Sequence, residues 1–195
     1  MQVTKRSVPD RREQLLRATV EVVAEWGYEG ASFARIVEHA GMSSTRLISY
    51  HFASKDVLMG EALGYVVQRA GEFMRGRIDR AEGAAGKLAA YIRSNLEFLA
   101  AEPVRAKAAV AIVSHLRVRS DSAQQNDVSV ALLEAWFVAA QATGEMREFD
   151  PTVMAVSVRA AIDAAVGRMV AGEVDPDRYA DELVALFDAA TRVGR

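Results

Sequence analysis

No cysteine occurs among the 195 residues, which excludes disulfides and thiolate metal sites and suits a reducing compartment. Aromatic residues are scarce at 7% of the chain, although 51% of it is hydrophobic. Long apolar runs are missing too. Stretches such as 108–113 and 135–140 fall far short of the roughly 20 residues that span a bilayer. Residues 1–14 are polar with no apolar segment behind them, so no secretory signal is visible. A soluble cytoplasmic protein without membrane association is expected. His39, His51 and His115 stand apart, none with a ligand-type partner one helical turn away, and no phosphate loop or nucleophile motif is present. Catalysis, a metal or a cofactor has little to rest on, and no enzyme is expected.

What is abundant is alanine, with 35 residues, the best helix former. Valine recurs at helical spacings and not in the alternation of strands. Pro103, Pro151 and Pro176 each follow an acid (Glu102, Asp150, Asp175) and precede a helix-like segment, the pattern of a capped helix start. The chain is expected to be all-α with about nine helices. The first covers 9–26, with Leu15, Leu16, Thr19, Val22, Val23 and Trp26 inward and Gly27 as its C-terminal cap. A short helix opens at Ser32, another at Ser43 or Ser44, and Ser54 caps a long fourth over 55–80. More hydrophobic helices follow at 84–101, 103–117, 127–142, 151–171 and 176–192, with a polar loop at 118–126. Residues 1–55 hold eight Lys/Arg and six Asp/Glu, a net of +2; the rest hold sixteen and twenty, a net of −4, which together give −2. A basic end on an acidic body suits a polyanion at the N-terminus.

Residues 32–52, SFARIVEHAGMSSTRLISYHF, have the layout of a helix-turn-helix. Ile36 and Val37 face inward, Ala40 and Gly41 make the tight turn, and the next helix offers small polar and basic side chains. Ser44, Thr45, Arg46 and Ser49 then project toward base edges or phosphates in a major groove about 12 Å wide. Arg46 suits guanine O6 and N7; the alternative is a solvated surface arginine. Lys55, beside the outward N–H groups of the fourth helix, suits a phosphate. Lys5, Arg6, Arg11 and Arg12 read either as an arm on the DNA backbone or as a solvated tail.

From Arg11 to Leu58 the chain resembles the TetR family of bacterial transcriptional regulators. The resemblance rests on the leucines of the first helix, Trp26-Gly27-Tyr28, the Ser32 cap, Ile36, Ala40-Gly41-Met42-Ser43 and the run Tyr50-His51-Phe52-Ala53-Ser54-Lys55-Asp56. Between Gly41 and Phe52 the chain is one residue longer than the commonest family spacing, which leaves the recognition-helix register open by one position. The resemblance implies a three-helix DNA-binding domain over 9–69, joined by the long fourth helix to a ligand-binding and dimerisation domain over 70–195. It adds Ser32, Ser43, Tyr50 and His51 to the DNA-contacting set, with packing against the first helix as the alternative for His51. It implies a homodimer on double-stranded, palindromic operator DNA. A repressor released by a small, fairly hydrophobic effector is expected, with an activator or co-repressor-dependent regulator as the alternative. An all-helical enzyme is the rival class; a structural adaptor would leave the polar recognition helix unexplained.

For the C-terminal region the resemblance implies an effector pocket. Tyr91, Phe98, Trp136 and Phe137 are its apolar candidates and Asn95, His115 and Gln141 its polar ones, with plain core packing as the alternative for the aromatics. The helix over 151–171 has two apolar rows. One is Met154, Val158, Ala161, Ala165 and Met169; the other, mostly small, is Val153, Val156, Ala160, Ala164, Gly167 and Ala171. A helix apolar on two sides must be covered on two sides. The second row and the final helix, with Leu183 and Phe187, are therefore expected to form a four-helix dimer interface.

Overall fold

The computed structural model describes residues 10–119 and 128–194, which form nine α-helices and no strand. Asp10 starts α1 (Arg11–Gly30) by accepting a bond from the Arg12 N–H at 3.0 Å. Gly27 breaks this helix with φ of +70°, a left-handed conformation that glycine reaches without steric cost. The Ser32 hydroxyl accepts from the Arg35 N–H and opens α2 (Phe33–His39). That helix ends in a Schellman motif, with Met42 N–H bonded to Val37 O and Gly41 N–H to Glu38 O. After the turn come α3 (Arg46–His51) and α4 (Lys55–Asp79), the latter capped by Ser54 on Val57 N–H. Then follow α5 (Gly83–Ala101), α6 (Pro103–Arg119), α7 (Val128–Ala142), α8 (Pro151–Val170) and α9 (Pro176–Thr191). The expected proline starts hold at all three helices, and the carboxylates of Asp150 and Asp175 accept from the first-turn N–H groups of α8 and α9.

Two expectations need correction. α3 begins at Arg46, not at Ser43 or Ser44, because the Ser44 hydroxyl turns to accept from the Arg46 N–H at 3.2 Å. A local turn of that kind competes with helix. Trp26 is not inward either: it is 53% exposed, with the Arg35 guanidinium 4.5 Å over its ring. Of the loop expected at 118–126, residues 118 and 119 extend α6; the rest lies outside the described residues.

Packing divides the helices in an unexpected way. One core joins Leu15, Val22 and Val23 of α1 to Ile36, Ile48, Leu58 and Met59, and continues into Phe98 of α5 and Ala108 and Ile112 of α6. The other joins Ile92 and Leu96 of α5 to Phe137 of α7, Val158 and Ile162 of α8, and Leu183 and Phe187 of α9. Helix α6 therefore packs against α1, and α4 lies against α1, α5 and α6. No helix among the described residues is long and apolar enough to cross a membrane.

Candidate nucleic-acid interface

The turn and α3 are built from one inward anchor and several outward polar groups. Ile48 is fully buried and Phe52 nearly so, which fixes the rotation of this six-residue helix against α1 and α4. Thr45, Arg46, Ser49 and Tyr50 then face solvent, and Tyr50 is 83% exposed. Arg46 pairs with no acid among the described residues. Ser43 lies exposed in the turn and Ser44 half-buried there, while Ser32 remains exposed as the α2 cap. His51 is half-buried and meets Tyr50 edge-on at 4.9 Å. Arg12 is no free tail: it pairs with Glu61 of α4 and lies over the Phe52 ring. Arg11 is exposed, and Lys5 and Arg6 lie outside the described residues.

Lys55 does not point freely outward. Its ammonium lies 5.0 Å from the centre of the Tyr28 ring and donates to the Glu29 carbonyl at 3.3 Å. Tyr28 in turn donates its hydroxyl to Asp56 at 2.5 Å.

The seven effector-pocket candidates do not converge on one cavity. Phe98 meets Phe73 in the first core, and Phe137 is fully buried against Phe149 in the second. Gln141 donates to the carbonyls of Arg147 and Phe149, which closes the α7–α8 connection. Trp136 borders a shallow cleft with Gly83, Lys87 and Thr143. His115 lies at the other end of the domain, stacked on Tyr28 at 3.6 Å. Trp136 and Phe137 meet ring to ring at 5.2 Å, and Tyr91 and Asn95 are joined by Arg159 of α8. Its guanidinium lies 3.2 Å from the Tyr91 hydroxyl and 3.3 Å from Asn95 Oδ1, and it also holds Asp163. Sequence reasoning missed Arg159. Its signal was an Arg–Asp pair at i, i+4 in the middle of a largely apolar helix. A separate cleft of about 830 Å³ lies between α1, α2, α4, α6 and α8, lined by Arg17, Val20, His39, Tyr65, Val104 and Met169 among others.

On α8, Val156, Ala160, Ala164 and Gly167 lie exposed, whereas Val158, Ile162 and Ala165 are buried. Leu183 and Phe187 are corrected: both are buried in their own core and cannot form a seam with another chain. On α9 the exposed large apolar residue is Leu186, beside the exposed Ala185 and Ala189.

A three-helix unit with a short, outward-polar third helix, set on a larger helical body, defines the helix-turn-helix class of protein. The profile of bacterial regulatory proteins of the tetR family matches residues 15–62, which run from α1 into α4. Over residues 15–62 the chain is thus similar to the TetR family. The HTH-type transcriptional regulator BetI of Stenotrophomonas maltophilia (strain R551-3) is 33% identical over 90 residues, and the chain spans less than half (45%) of that relative's length. A TetR-family transcriptional regulator from Rhodococcus sp. superposes with a TM-score of 0.78 at 25% identity, over 92% of this chain and 97% of that one. AibR, solved in complex with isovaleryl coenzyme A and operator DNA, shares the fold at 21% identity, with a TM-score of 0.68 over 91% and 97% of the two chains.

Proposed function

We propose that the protein is a sequence-specific, DNA-binding transcriptional regulator, cytoplasmic and not an enzyme. It acts as a homodimer and leaves its operator when a small, fairly hydrophobic effector binds. The observation that carries this reading is the outward face of α3. Thr45, Arg46, Ser49 and Tyr50 are held rigidly by Ile48 and Phe52, yet their polar groups face solvent. A short helix presented in this way fits a major groove, with Arg46 reading base edges and Ser32, Ser43, Ser44, His51 and Lys55 around the phosphates. The name of the Stenotrophomonas relative agrees with this use of the shared N-terminal region.

Residues 9–69 serve DNA binding in this reading, and 70–195 serve the effector and the dimer. The exposed small-residue row of α8, joined by Leu186, supports the dimer, because such a row allows close helix approach. Tyr91, Asn95 and Arg159 supply polar anchors for an effector in an apolar domain. The test is selection of duplexes from a random library by the full-length chain. A two-fold symmetric sequence is expected, with half-site centres about 34 Å or a multiple apart. A pool that shows no enrichment overturns the reading.

A further inference from the structure

Tyr28 directly follows the Gly27 break of α1 and is buried. His115 of α6 stacks on its ring at 3.6 Å with an interplanar angle of 10°. The Tyr28 hydroxyl donates to Asp56 at 2.5 Å, so the ring is held at its edge as well as on its face. Lys55 of α4 rests against this ring, its ammonium 5.0 Å from the centre, and donates to the Glu29 carbonyl at 3.3 Å. His115 Nδ1 lies 3.4 Å from the Glu29 carboxylate, so one imidazole meets both residues that seat Lys55. As a mere filler the imidazole is costly. Its Nε2 is buried with no hydrogen-bond partner among the described residues, a penalty that leucine, of similar size, would avoid. Stability alone does not favour histidine here.

We infer that His115 is a positioning residue for operator binding: from α6 it fixes the Tyr28 ring on which the Lys55 ammonium is seated. The inference rests on the reading above, in which Lys55 meets a DNA phosphate. A free lysine side chain is flexible and loses that freedom on binding. Here part of the loss precedes binding, because the ring and the Glu29 carbonyl already hold the ammonium. Of its three N–H donors one goes to Glu29, which leaves two for a phosphate. The imidazole acts through its flat face and not through its charge. Helix α6 packs on α1, so a displacement of α6 would withdraw that face, free the ring and loosen the hold on the phosphate.

The experiment measures the dissociation constant of the full-length protein for a duplex selected from a random library, at one fixed ionic strength. The parent, His115→Leu and His115→Phe are compared, each also combined with Lys55→Gln, and thermal unfolding midpoints are read alongside. His115→Leu is expected to weaken binding about fivefold when Lys55 is present, the upper range for an exposed cation–π contact, and by less than about twofold beside Lys55→Gln. Its unfolding midpoint is expected to match or exceed that of the parent. His115→Phe keeps a flat ring on Tyr28 and is expected to bind within about twofold of the parent. Equal weakening by His115→Leu in both backgrounds overturns the inference, as does no weakening, or a His115→Phe as weak as His115→Leu. A midpoint that falls in step with the affinity also overturns it, since the loss is then one of fold. If Lys55→Gln alone binds as tightly as the parent, the phosphate role of Lys55 falls and the inference with it, while DNA binding stands. A parent that binds no duplex overturns the DNA-binding reading as well.

Discussion

Arg46 extends from the first turn of α3 with no acid among the described residues to hold it, while two residues away Ile48 is locked into the core. On the proposed reading, a guanidinium placed on so firm a base would discriminate one base pair, whereas Lys55 would bear on the backbone alone. Arg46→Ala is expected to cost about 1–3 kcal/mol on the selected duplex and to relax preference at a single position, while Lys55→Ala weakens binding to all duplexes alike. Binding curves on single-base variants of the site check both; matching profiles for the two variants would sink the assignment. A second residue-scale prediction concerns Gly27. A Cβ there meets nothing within 4 Å, so any penalty is purely that of the backbone at φ +70°. Gly27→Ala is expected to destabilise the fold by about 1–2 kcal/mol, read from thermal unfolding. No change in midpoint would show that this turn tolerates a side chain.

At the scale of elements, α8 is the informative helix. Its buried side holds Ala155, Val158, Ile162 and Ala165, and its opposite side exposes Val153, Val156, Ala160 and Ala164. A lone protomer would leave that apolar stripe in water, which disfavours the monomer by the transfer cost of its area. The parent is expected to sediment as a dimer and Ala164→Arg as a folded monomer. The substituted charge, buried unpaired at a seam, costs several kcal/mol, yet in a monomer it sits in solvent. A parent that sediments as a monomer removes the interface argument. The turn before α3 matters at this scale as well. Because Ser44 bonds to the Arg46 N–H, the recognition helix starts late, and Ser43 and Ser44 belong to the turn that leads into it.

The whole molecule is organised by α4 and α6. With 25 residues, α4 is about 37 Å long, and a tilt of about 5° would displace its far end by about 3 Å. Two recognition helices must keep a spacing of about 34 Å, or a multiple, to enter successive major grooves, so a displacement of that size breaks one half-site. Helix α6 adds a second route. Its Ala108 and Ile112 belong to the same core as Leu15 and Ile36, so the DNA-binding unit has no separate core of its own. An effector that moved α5 or α8 would therefore act on α1 through packed side chains. Coupling of this kind is reciprocal. Titration of an identified effector with and without operator DNA is expected to give weaker effector binding on DNA, by the same factor that the effector weakens DNA binding. Equal effector affinities in the two titrations would exclude release by this mechanism.

The sequence alone determined the elements whose causes are local. Alanine content and the prolines behind Glu102, Asp150 and Asp175 marked the helices, Gly27 and Gly41 marked the breaks, and the run 32–52 marked the helix-turn-helix. It also showed that α8 is apolar on two sides. Only the tertiary structure decided which residues meet. Leu183 and Phe187 fit the stripe pattern of a seam, but the rotation of α9 against α5 turned them inward and left Leu186 outside. Phe98, His115 and Gln141 have the composition of a pocket, yet they ended in three different places. The physical reason is that periodicity fixes which face of a helix is apolar, while the neighbour that covers this face is chosen by packing between elements distant in sequence. Tyr28 and His115, 87 positions apart by number, meet for that reason alone.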